Sequence, residues 1–183
     1  MGLFGEAASG KRIKAASDAA AQIIAVAHAA MDATLRELEQ SPGSPLDPAG
    51  PAKIFVDFAG FYSHWIDRLA HADLGVHWQP FMRDLRKSLA PEVQRAIGPD
   101  VPARERDAAT RWVSDLLDVL SAEFGHHTVA AEYRPGALIY EIGRTVAQSV
   151  GRPGDPRAIE SGSRCAAVGL QTLDAERLVS AAK

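Results

Sequence analysis

Between Lys53 and Gln79 the chain reads KIFVDFAGFYSHWIDRLAHADLGVHWQ, a stretch that holds five of the nine Phe and Trp residues and three of the six His. On a helical wheel turning about 100° per residue, Phe58, Phe61, Trp65 and Leu69 share one line, flanked by Phe55, Tyr62 and Ile66. Lys53, Asp57, Gly60, His64, Asp67 and His71 gather on the opposite side. A two-residue alternation would mix the two sets, so the period selects helix over strand. Aromatic side chains bury roughly 150–250 Å² each. This helix is therefore expected to supply the main part of the core, with His64 and His71 on a polar flank outside it.

The rest of the chain is mostly Ala, Leu, Val and charge, and its apolar residues also recur at threes and fours. Ala20, Ile23, Ile24, Ala27, Met31, Leu35 and Leu38 predict a helix from about Ala15 to Gln40. Residues 1–14 are expected as an N-terminal arm. The connector over 41–51, SPGSPLDPAGP, carries four prolines and two glycines, which no helix crosses. Asp73-Leu74-Gly75 ends the aromatic helix at a glycine. A third helix begins near Gln79 with Pro80 in its first turn, buries Phe81, Met82, Leu85 and Leu89, and is expected to be interrupted at Pro91.

A fourth helix runs from Pro102 to Phe124, with Ala109, Trp112, Val113, Leu116, Leu120 and Phe124 on its apolar side and Asp107, Arg111, Asp115 and Asp118 opposite. A fifth spans Ala137 to Val150. After a loop over 151–163 the remainder reads as short helical pieces, the last from about Asp174. No internal repeat is present and no segment demands a strand. The fold class expected is all-α: a single-domain irregular bundle, 1–183, of five main helices and a short C-terminal helix.

Composition bounds the function. With 46% hydrophobic and 23% charged residues the chain is globular, and a net charge of −3 with a pI near 6.1 argues against a nucleic-acid binder. The single cysteine, Cys165, forms no internal disulfide, so a reducing, cytoplasmic setting is expected. The start, MGLFGEAASGKRIK, lacks the charged-then-apolar order of a secretory signal and is expected to be retained. No run reaches the roughly 18 apolar residues of a membrane-spanning helix.

The candidate site is the pattern HxxDxxxH formed by His64, Asp67 and His71, whose neighbours three and four apart face the same way on a helix. Seven residues put the two imidazoles about 10.5 Å apart along the axis, too far for both to reach one ion easily. A metal would take Asp67 with one His and need ligands from another helix, His126, His127 or Glu141. The plainer reading makes these residues a wet helix face. His126 and His127 follow the terminating Gly125, where a cationic His also suits a helix C-terminus.

Cys165 reads as a structural thiol. GRPGDPR lacks the spacing of a phosphate loop, and no GxSxG, HExxH, ExxH, CxxC or basic helix-turn-helix pattern occurs. Neither a reaction nor a cofactor is fixed by any motif.

Two functions follow as expectations. The first is a non-enzymatic helical interaction or regulatory domain that binds a protein partner or itself. Its interface would draw on Tyr62, Trp65, Trp78 and Phe81, because the aromatics of residues 55–81 exceed what an Ala- and Leu-rich core encloses. The second is a metal or small-ligand site on the His64, Asp67 and His71 face.

Overall fold

A computed structural model of the chain describes residues 3–40, 45–129 and 133–183, without the side chains of 3–8. Among them are seven α-helices: α1 (Leu3–Glu39), α2 (Gly50–Leu74), α3 (Trp78–Ile97), α4 (Arg106–Gly125), α5 (Leu138–Ser149), α6 (Pro156–Thr172) and α7 (Ala175–Ser180). Short 3-10 turns, Gly75–His77 and Ala103–Glu105, lead into α3 and α4. The described residues contain no strand, only an isolated bridge between Thr128 and Ala137. The expected all-α bundle, with its short C-terminal helix, is what they form.

Besides shifts of a few residues, with α2 starting at Gly50 inside the expected connector and α4 at Arg106 instead of Pro102, three differences are larger. First, α1 starts at Leu3 instead of near Ala15, so residues 3–14, expected as an arm, continue the helix. Arg12 Nε ties that extension to α3 by donating to Asp84 Oδ2 at 2.8 Å. Second, the loop expected over 151–163 ends at Asp155, and the residues after it are one helix of 17 residues rather than short pieces. Asp155 Oδ1 accepts the Arg157 N–H at 3.0 Å and Pro156 stands in the first turn, a start signal of two parts.

Third, α3 runs through Pro91 without a break. A proline removes one hydrogen bond, here to the Lys87 carbonyl. Lys87 and Pro91 both line an open cleft, where water can take its place. Residues 41–44 of the expected connector lie outside the described residues. Where the connector is seen, Gly50 N–H donates to Asp47 O at 2.7 Å and Lys53 Nζ donates to Asp47 Oδ2 at 2.6 Å.

The aromatic helix is the centre of the bundle: α1, α3, α4, α5 and α7 all pack on α2. Phe55, Phe58, Phe61 and Tyr62 of α2, with Phe81 of α3, are the largest fully enclosed side chains. Phe61 meets Phe124 of α4 edge to face at 5.8 Å. Burial of each such ring stabilises the fold by roughly 1.5–3 kcal/mol.

The closest pairing is α5 on α6. A Cβ at Gly143 would lie 2.2 Å from the Ile159 carbonyl oxygen and 3.0 Å from Ser163 N, both backbone, so only a glycine lets these two helices touch. Among the described residues no helix is long and apolar enough to cross a membrane.

Candidate functional site

The polar flank expected on α2 is not a wet face. Lys53 and His71 at its ends are exposed, Asp67 is half-buried, and Asp57, Gly60 and His64 between them are buried. His64 keeps only 4% of its surface. This is a correction to the sequence reading, and its cause is the number of neighbours: a helix surrounded on five sides has no free flank along its middle. Gly60 marks where α4 comes in, since a Cβ there would stand 2.7 Å from Leu120 Cδ1. A glycine between Asp57 and His64 was the available sign that this flank meets another helix.

The two buried polar groups are each accommodated differently. Asp57 accepts a hydrogen bond from Ser149 Oγ of α5 at 2.6 Å. Burial pushes its carboxyl up to about 7, against the Ser149 bond and Lys53, which lower it, and with Glu123, which raises it. His64 Nδ1 shares a hydrogen bond with Ser121 Oγ of α4 at 3.2 Å. Its Nε2 is buried without a hydrogen-bond partner among the described residues. Burial lowers this imidazole to about 4, helped by Arg68 and His127 and opposed by Asp67. A neutral ring with its proton on Nδ1 leaves Nε2 as an unpaired acceptor, the less costly way to satisfy the site.

The other candidate residues are engaged elsewhere. Asp67 Oδ1 accepts from Trp78 Nε1 at 2.6 Å, and the His71 ring stands edge-on to Trp78 at 4.7 Å. The loop after α4 is anchored by Arg68 Nη1, which donates to the His127 carbonyl at 3.0 Å. His126 is exposed and His127 half-buried. Glu141 accepts from Gly136 N–H at 2.9 Å and from Arg144 Nε at 2.7 Å. Burial alone would raise its carboxyl, but these two donors outweigh that and hold it below the ordinary value. Among the described residues no group of three or more His, Cys, Asp and Glu is placed to hold a metal ion.

The four candidate interface residues do not make one surface. Tyr62 and Phe81 are fully enclosed, while Trp65 and Trp78 are half-buried against the core. Tyr62 points at α6, its hydroxyl 3.4 Å from the Ala166 carbonyl, and burial raises its pKa. The core thus encloses more of the aromatic cluster than the composition suggested.

Large apolar side chains stay exposed singly at Ile13, Val76, Val129, Tyr133 and Val168, and two more, Trp112 and Val119, share a line on α4. Trp112 is 59% exposed and Val119, two turns further on the same line, is 54% exposed. Leu116 lies half-buried between them. The sequence reading put Trp112 on the apolar, inward side. It stands about 100° from Val113, however, and α4 packs chiefly on α2 and α3, so the buried stripe is narrower and Trp112 falls beyond it. Val119, outside that stripe and seven residues after Trp112, was the sign of a second apolar line.

No protein-family model, curated protein or solved structure matches the chain.

Proposed function

We propose that this chain is a non-enzymatic helical interaction domain, acting in the cytoplasm, that docks a protein partner along the outer face of α4. The observation that carries the reading is the line of Trp112, Leu116 and Val119 on a helix that, among the described residues, is packed chiefly from the side of α2 and α3. An exposed Trp on an apolar line is a side chain of the kind that often dominates binding when a partner covers it. The net charge of −3 favours a protein over a nucleic acid as the partner. Cys165 is a buried free thiol, in keeping with a reducing compartment.

A photo-reactive residue placed at Val119, with Val168 of α6 as an equally exposed control, tests the reading in the cells that make the protein. The expected result is one discrete cross-linked species at position 119 and none at 168, suppressed by excess wild-type chain and not by an excess of the Trp112→Lys variant. Cross-linking that is equal at both positions, or competed equally by both chains, would overturn it. A cross-linked pair of identical chains would assign the partner as a second copy.

A further inference from the structure

Beside the apolar line, on its α3 side, α4 borders a cleft of about 440 Å³ lined by Arg83, Arg86, Lys87, Thr110, Arg111 and Ser114, together with Ala90 and Pro91. Among the described residues four cations and no carboxylate line it. Of the acids near it in the chain, Asp84 pairs with Arg12, Glu92 with Arg95 and Asp118 with Arg86, while Asp107 and Asp115 of α4 stand outside the lining. Among the described residues Arg83, Lys87 and Arg111 have no carboxylate within ion-pair distance, and all three are exposed. Cations left unpaired around a depression create a local positive field on a chain that is otherwise acidic, and such a field selects partners of opposite sign.

We propose that this cleft receives an acidic segment of the partner, with Arg83, Lys87 and Arg111 pairing carboxylates spaced one helical turn apart. The inference rests on the reading of α4 as a docking surface and names the chemistry of what docks there. Spacing supports a peptide: Arg83 and Lys87 are four residues apart on α3, about 6 Å along the axis at ~1.5 Å per residue, which is the separation of carboxylates at i and i+4 on a facing helix. Arg111 supplies a third cation from the opposite wall and is the chain neighbour of Trp112, so one bound segment would reach both. Thr110 and Ser114 add hydroxyls that can donate to the same carboxylates. A nucleic acid fits less well, because three unpaired cations in one cleft give no extended basic track for a continuous run of phosphates.

The test uses the full chain and a labelled synthetic alanine-based helical peptide with Glu at every fourth position, followed by fluorescence anisotropy. The expected result is saturable binding that weakens about tenfold or more when Glu is replaced by Gln in the peptide, and equally in the double variant Arg83→Glu with Lys87→Glu. A neutral pair, Arg83→Gln with Lys87→Gln, should fall between the two. Amide shifts on titration should cluster at residues 83–87 and 110–114. Absence of binding, binding indifferent to either charge change, or shifts elsewhere would overturn the proposal. So would inorganic phosphate that displaces the peptide more strongly than chloride at equal ionic strength, which would make the cleft a site for a small oxyanion. The purely acidic peptide has no apolar anchor, so Trp112→Ala should leave its affinity unchanged. Failure here with position-119 cross-linking intact therefore removes only the cleft, and the reverse outcome removes only the α4 reading.

Discussion

Asp57 and His64 sit seven residues apart on one flank of α2, and they push stability in opposite directions as pH changes. A carboxyl raised to about 7 when folded binds its proton more tightly in the folded chain, so it costs stability progressively as pH rises from about 4 to 7. An imidazole lowered to about 4 binds its proton more tightly in the unfolded chain, so stability is lost as pH falls from about 6.5 to 4. Over the shared window the two slopes largely cancel. Each single substitution should uncover the other group. Asp57→Asn keeps a partner for Ser149 and should gain stability over wild type by about 2 kcal/mol more at pH 8 than at pH 5, at ~1.4 kcal/mol per pKa unit. His64→Gln should lose less stability than wild type between pH 6.5 and pH 4. Urea unfolding at these pH values decides it, and parallel pH profiles for wild type and both variants would refute this account of the flank. A partition of polar from apolar residues was legible in the sequence. That polar residues on a central helix are buried was not, because a wheel shows which residues share a side and not how many neighbours that side meets.

At the level of elements, helix existence followed from period and ends did not. The stripes of Ile23, Met31 and Leu38, or of Leu85 and Leu89, are sustained by burial and so leave a regular trace. The extension of α1 is tied down by a long-range bond, Arg12 to Asp84, and α3 passes Pro91 beside an open cleft, and neither is written locally. The α5 and α6 pair depends on an absent side chain. Gly143→Ala would force its methyl into the α6 backbone, and the expected loss is about 3 kcal/mol or outright failure to fold, against about 1 kcal/mol gained from propensity alone in an open helix. Thermal unfolding followed by circular dichroism measures it, and an unchanged midpoint would mean the helices are not in contact there. Trp78→Phe should cost about 1–2 kcal/mol by removing the bond to Asp67, while leaving the edge contact with His71.

For the whole molecule, the Trp and Phe rings described divide between a centre and a rim. The rings of residues 55–81 fill the centre or pack against it, and Trp112 is left at the rim on a helix that the described residues leave open on one side. The candidate site was only partly readable for that reason: the cluster of rings drew attention to α2, whereas the one exposed Trp lies on α4 beside cations drawn from two helices that only the fold brings together. The account turns on whether that rim is used. Its most direct test is isothermal titration of the purified partner identified by cross-linking against wild type, Trp112→Ala and the control Val168→Ala. Loss of affinity of about tenfold or more for Trp112→Ala, with Val168→Ala unchanged, is the predicted result. Equal affinity for all three chains would contradict it.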